Sequence, residues 1–419
     1  MSKMATEENL EITMLFKKIH LALAIGATLA APAVMAQSSV QIYGKLYPYF
    51  LSERGSGATG KAESVSTLSA AGTGISGVPR AFGLVSGNSR LGFRGQEDLG
   101  GGLKAVFQLE GVANIDDGRG TGEGGGFQFN RNTYVGLESK GLGSVQFGLN
   151  DTILKNYGDT IGLLGVSSGT FMSTSSVFRR AAFGSSSASS FHLRRANSIT
   201  YETPEIAGFV GGIQWSTNEE KTATRDPRVL SMGVKWDNGP FYVALAHEIH
   251  YDIFGGSRNV PTAQRNNAAT DPSTSKDRAT QFTVEWRLNK QHKFEFDAIR
   301  KEYDESASVA GRFSSYRNMA YLLAMENRWN DQWRTSANYS RATAGTCTRV
   351  GAACNTDGLE GSKFTIGAAY YLSRRTYLFS AASLIRNGKS ARFSNTELGG
   401  APAPGEDVKH LALGLNHSF

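Results

Sequence analysis

From residue 40 onward the chain repeats one pattern: about ten residues of alternating apolar and polar side chains, a connection, then another such segment. The connections alternate as well. Short ones (98–102, 140–143, 203–208, 237–240, 289–292, 330–331 and 373–375) take turns with long polar ones. The long ones are 53–86, 116–126, 150–193, 218–228, 252–277, 304–313, 344–361 and 388–407, so eight long and seven short connections separate sixteen segments. Period-two alternation gives a strand one apolar and one polar face. A barrel in an outer membrane has tight turns at one end, long loops at the other, and strands that are apolar outside and polar inside. A soluble sandwich would not sort its loops by length, and a solenoid would show a fixed repeat, which this chain lacks. The expected fold is all-β: a transmembrane antiparallel β-barrel of about sixteen strands, with short periplasmic turns and long extracellular loops.

Individual segments fit that scheme. In 40–51, Val40, Ile42, Leu46 and Phe50 share one face, and Gln41, Tyr43, Lys45, Tyr47 and Tyr49 the other. Leu91 and Phe93 oppose Arg90 and Arg94, and Leu103, Ala105, Phe107 and Leu109 oppose Lys104 and Gln108. At the C-terminus Leu411, Leu413, Leu415 and Phe419 lie on one face. A barrel explains a chain that ends within a strand, because its last strand must close against its first. Gly is abundant (49 residues) and Pro scarce (10), which suits many tight turns. The net charge of +7 is dispersed, with no Lys/Arg block of the kind that binds nucleic acid.

Residues 1–36 read as an export leader. MLFKKIHLALAIGATLAAPAVMA (14–36) has a basic start at Lys17 and Lys18, an apolar centre and a small-residue cleavage site at Val34-Met35-Ala36. Glu7, Glu8 and Glu11 do not suit such a leader, so Met14 is an alternative translation start. Residues 37–419 form the barrel domain. The connection 150–193 is the longest, rich in Ser and Gly, with Asp151 and Asp159 as its only acids. A loop of that length inside a compact domain is usually functional. It is expected to fold into the lumen and narrow it.

No catalytic constellation emerges. Of seven His, only His247 and His250 are close, and on a strand they would point to opposite faces, so neither an enzyme nor a metal or other cofactor is expected. Cys347 and Cys354, the only cysteines, lie seven apart in one long connection; in an exported, oxidising compartment they are expected to form a disulfide.

The chain resembles the Gram-negative general diffusion porins, in particular the β-proteobacterial branch. The resemblance rests on VQIYGKL (40–46), SRLGFRGQEDLGGGLKAVFQLE (89–110), NRNTYVGLESKGLGSVQFG (130–148), RRANSITYETPEIAGF (194–209) and the terminal LGLNHSF (413–419). It implies a homotrimer in the cell outer membrane, in contact with membrane lipid and lipopolysaccharide, passing small hydrophilic solutes and ions by passive diffusion. It also implies that Phe419 is part of the signal read by the barrel-assembly machinery. Matched motif by motif, Lys45, Arg90, Arg131 and Arg195 become the bases of a pore constriction, with Arg194 the alternative to Arg195, facing Asp151 and Asp159 of the third loop. The alternation independently puts Lys45 and Arg90 toward the lumen; Arg131 shares its parity with Phe127 and Phe129, so its direction is ambiguous. The family often has Gly-Arg-Gln where this chain has Gly148-Leu149-Asn150, so one wall base is missing, and the loop carries Lys155, Arg179 and Arg180 against two acids. The expectation is a weak anion preference. A substrate-selective channel, for which Tyr43, Tyr47 and Tyr49 are the only hint, and a barrel adhesin or barrel enzyme are the alternatives.

Overall fold

The computed structural model describes residues 39–158, 160–163, 170–184, 187–217, 219–266 and 273–419. The expected leader and Asp159 lie outside them. Every neighbouring strand pair is antiparallel and the sheet closes on itself. The barrel strands are β1 (Ser39–Leu46 and Tyr49–Ser56), β2 (Ala81–Val85 and Arg90–Gly100), β3 (Leu103–Val112), β4 (Thr133–Ser139), β5 (Gly143–Asp151) and β6 (Arg194–Glu202). They continue with β7 (Phe209–Ser216), β8 (Arg228–Asn238), β9 (Phe241–Tyr251), β10 (Ser275–Arg287) and β11 (His292–Glu305). The last five are β12 (Phe313–Arg328), β13 (Trp333–Ala342), β14 (Gly361–Tyr371), β15 (Thr376–Asn387) and β16 (Asp407–Ser418). The closed barrel of sixteen strands matches the pattern of segments and connections.

The strands are inside out relative to a soluble protein. Val135, Leu323, Leu411 and Leu413 face outward and are exposed, whereas Glu295, Asp297, Lys301, Lys363 and Thr365 point inward and are buried. That arrangement is stable only where lipid surrounds the wall and polar groups fill the interior.

The seam is made at β1. Pro48 has no N–H and interrupts the strand, and both halves pair with the same two neighbours. The lower half runs along Arg90–Gln96 of β2, with Lys45 opposite Arg90, and reaches β16 only at Lys45 and Leu46; the upper half pairs with β16, with Tyr49 opposite Gly414, and with Ala81–Val85 of β2. Between them the Pro48 carbonyl accepts the Leu415 N–H at 3.0 Å. Phe419 exchanges two backbone hydrogen bonds with Gly44, at 3.2 and 3.1 Å. Its ring occupies the space a side chain would need at Gly44, where a Cβ would lie 2.4 Å from the ring.

The third long connection folds inside the barrel. It begins with a helix, α1 (Ile153–Tyr157), capped by the Thr152 hydroxyl, and includes a further helical turn, α2 (Ser175–Phe178). Phe171, Met172, Phe178, Phe183 and Phe191 are fully buried between the loop and the wall. The wall grips the loop mainly by its backbone. Lys301 of β11 donates to the carbonyls of Phe178 (2.9 Å) and Arg180 (2.8 Å), and Lys363 of β14 to those of Phe171 (2.5 Å) and Ser173 (2.7 Å). Conversely, Glu295 accepts the Ile161 N–H (2.9 Å) and Glu326 the Leu163 N–H (2.8 Å).

The other long connections interlock at the same end. Ser66 bonds the Asn355 carbonyl and Ser69 the Ser390 carbonyl, both at 2.7 Å. In the seventh long connection a short strand, Thr346–Arg349, pairs with β12, and Cys347 is joined to Cys354 with a Cα–Cα distance of 5.8 Å. Glu397 of the eighth accepts the Tyr49 hydroxyl, and burial pushes its carboxyl up to about 7.

Replacing Lys301 and Lys363 together by Met removes the donors to four loop carbonyls, and leaving a buried polar group unpaired costs roughly 1–3 kcal/mol. The expected outcome in planar bilayers is a larger and noisier open-channel current with the barrel still folded. Conductance and noise equal to wild type would show that the clamps do not hold the loop.

Candidate pore constriction

The loop lies against β7 to β14, and the Phe171 ring reaches Tyr49 on β1 and His410 on β16. On β1 to β6, the connection before β4 and the start of the loop itself is a compact set of charges. Their centre is Glu110, which sits on β3 with the parity of Lys104 and Gln108. One carboxylate oxygen accepts Arg131 Nε at 2.5 Å; the other accepts the Tyr43 hydroxyl at 3.0 Å and lies 3.4 Å from Arg90 Nε. Arg131 also donates to Asn88 at 3.0 Å. Lys45, paired with Arg90 across β1 and β2, has its amine 4.3 Å from the centre of the Tyr47 ring and makes no ion pair among the described residues.

A second carboxylate completes the set. Asp151 is the last residue of β5, not part of the free loop, and receives Lys155 at 2.6 Å and Arg194 at 2.9 Å. Asn132 bridges the two halves, accepting Arg194 Nε at 2.7 Å and the Asp151 N–H at 3.1 Å. Burial pushes the Lys155 amine down, and the Asp151 carboxylate beside it pulls it back up. Five bases thus surround two acids, and Arg90 keeps 29% of its side chain exposed, Arg131 18% and Arg194 16%. Partly buried cations of this kind present an attractive surface to a small anion and a repulsive one to a cation.

The structure brings together Lys45, Arg90, Arg131 and Asp151, but not Arg195. Arg195 stands opposite Asn150, and its Nε has no hydrogen-bond partner among the described residues. The register shifts between Gly148 and Asn150, and Asn197 has a φ of 53°; beyond this bulge Arg194 is the residue opposite Asp151. Arg131 does not belong to the fourth strand either, which begins at Thr133. Its parity with Phe127 and Phe129 therefore carries no meaning: those rings pack outward against each other at 5.3 Å while Arg131 turns in. Arg179, counted as a loop base, is fully buried and donates to Gln281 (2.9 Å) and the Gly158 carbonyl (2.6 Å), so it braces the loop and does not line the opening. Glu110 was legible from strand parity. Arg194 was not, because a dyad of arginines beside a bulge gives no parity to read. Among the described residues no group of three or more His, Cys, Asp or Glu is arranged to hold a metal.

A family model described as Gram-negative porin matches residues 21–390. The major outer membrane protein P.IB of Neisseria meningitidis serogroup B is 26% identical over 405 residues, covering 94% of this chain and 98% of that protein. An outer membrane porin protein of Bordetella pertussis is 28% identical over 429 residues, covering 94% and 99%. Among solved structures, an anion-selective porin from Comamonas acidovorans superposes with a TM-score of 0.66 at 22% identity, over 91% of this chain and all of that one. OmpT of Vibrio cholerae superposes with a TM-score of 0.57 at 12% identity, over 91% and 98%. With a closed lipid-facing barrel, an inward third loop and a family match over most of its length, the chain belongs to the Gram-negative porins, channels of the cell outer membrane.

Proposed function

We propose that this porin is a general diffusion channel with a weak preference for anions, and that the set around Glu110 and Asp151 lines its constriction. The observation that carries this reading is the excess of bases: Lys45, Arg90, Arg131, Lys155 and Arg194 against two carboxylates. Anion selectivity in the Comamonas porin supports the direction. The loop sets the width, and the wall sets the sign. Asp159, an acid of the same loop, would weaken the preference without reversing it.

A second reading is favoured by one feature of the inner wall. Tyr371 and Tyr377 face the lumen with ring centres 4.8 Å apart, half-buried, and Tyr377 reaches Tyr47 at 6.5 Å. The shelf is flanked by Lys45 at one end and by Arg334, 4.2 Å over the Tyr371 ring, at the other. Aromatic faces beside fixed cations suit a solute that is itself a flat anion, so the channel would pass aromatic carboxylates with some selectivity.

The porin reading also implies export through the leader at 1–36, a homotrimer, and insertion by the barrel-assembly machinery with Phe419 as part of its signal.

Three measurements test these statements. Removing a charge that a passing ion approaches to about 4 Å changes its energy by on the order of 1 kcal/mol in water, about fivefold in a permeability ratio. Replacing Arg90 and Arg131 by Ala should therefore lower chloride over potassium permeability severalfold at low salt; reversal potentials equal to wild type would refute the wall assignment. Benzoate should reduce single-channel current more than acetate at equal concentration, and Tyr371→Ala with Tyr377→Ala should erase the difference; equal effects in wild type would discard the aromatic shelf. Chemical cross-linking of the purified protein should stop at three subunits, and a distribution ending at one would remove the trimer.

A further inference from the structure

The third loop enters and leaves the wall at one place. The Thr152 N–H, at the start of α1, bonds the carbonyl of Leu193, immediately before β6, at 3.2 Å. On the exit side the chain alternates. The Phe191 ring is fully buried and stacks on His250 of β9 with centres 4.5 Å apart, whereas the next side chain, His192, is only half-buried. His192 therefore turns toward the opening, beside two cations that share one carboxylate oxygen of Asp151: Lys155 Nζ at 2.6 Å and Arg194 Nη2 at 2.9 Å.

One contact fixes the chemistry of the ring. Arg179 Nη1 lies 3.0 Å from His192 Nδ1. A guanidinium carries only donors, so Nδ1 is the acceptor, and the imidazole is the neutral form with its hydrogen on Nε2. Arg179 cannot turn away, because it is fully buried, with Nε on Gln281 at 2.9 Å and Nη2 on the Gly158 carbonyl at 2.6 Å. Enclosure, and then the cations of Lys155, Arg179, Arg180 and Arg194, hold the ring well below the usual histidine range, in agreement with that form. His192 Nε2 has no hydrogen-bond partner among the described residues and is not sealed from solvent. The result is a neutral donor set among cations. Such surroundings repel a metal ion and leave an anion as its partner.

We propose that this corner is an oxyanion subsite, in which His192 donates its Nε2–H, beside Lys155 and Arg194, to a carboxylate or phosphate group of a passing solute. Fixed cations attract every small anion according to its charge. An oriented N–H adds most for anionic oxygens, which accept short, directional hydrogen bonds that chloride does not match. Because the imidazole is uncharged, it sorts one anion from another without altering the preference for anions over cations. The subsite deepens the anion-channel reading and rests on it, but it shows in a different ratio.

The test uses the full-length protein in planar bilayers at neutral pH, with acetate, inorganic phosphate and chloride as probes. In His192→Asn the amide oxygen can still accept Arg179, but no donor reaches the place of Nε2. In His192→Gln the longer amide restores a donor there. The permeability of acetate and phosphate relative to chloride should fall about fivefold in His192→Asn, the value of one net hydrogen bond, and return in His192→Gln. Chloride over potassium permeability should stay as in wild type in both. Oxyanion ratios in His192→Asn equal to wild type overturn the proposal, as does a loss confined to His192→Gln, the pattern of a residue that only braces Arg179. Should the variants fail to fold, carbethoxylation of wild-type His192 by diethyl pyrocarbonate decides the matter: phosphate or acetate should slow it more than chloride does, and equal rates overturn the subsite. A wild-type channel with no preference for chloride over potassium would instead refute the anion-channel reading itself.

Discussion

A backbone N–H or C=O cannot be left unpaired in hydrocarbon, and in this chain the demand is hardest to meet where the two ends of the sheet join. Pro48 has already removed one donor from β1 at that place. The chain answers by resuming the pairing of β1 with both neighbours beyond the proline and by using its last residue twice over, as backbone partner of Gly44 and as a ring filling the volume that glycine leaves open. Once the seam is shut no edge remains, and the alternation of side chains assigns every other residue to lipid or to lumen.

Inside, the same enclosure makes charge useful. The β1–β6 side holds cations around Glu110 and Asp151, while the β9–β14 side uses lysines and glutamates to hold the loop. Identical residue types thus do different work on opposite walls. Where a lysine is covered by the loop it serves as a bracket, as at Lys301 and Lys363; where it is only partly covered, as at Lys45, it stands beside Arg90 with no ion pair among the described residues. Burial separates the two roles.

Much of the fold was legible because period two and loop length are local properties, and they survive in any closed sheet. Lys45 and Arg90 followed from parity alone, and Glu110 could have. Parity failed at two kinds of place. Before Thr133 the chain is not yet a strand, so the phenylalanines at 127 and 129 gave a false phase for Arg131. After Gly148 a bulge shifts the register, which moved the ion pair from Arg195 to Arg194. The path of the inner loop could not be read at all, since Lys301 and Lys363 lie far from it in sequence and look like any other inward-facing polar residues.

Lys301 and Lys363 hold the loop by carbonyl oxygens, which every residue type supplies. At those points the loop is held by its backbone as well as by the buried rings of Phe171 and Phe178, so only its uncovered side chains can be exchanged without releasing it. A lineage of such channels could retune the opening by substitutions within the loop while the barrel stays unchanged. The converse does not hold: a change at either lysine would be felt whatever sequence the loop carried. Variation should accumulate on the strap and be scarce at its fastenings.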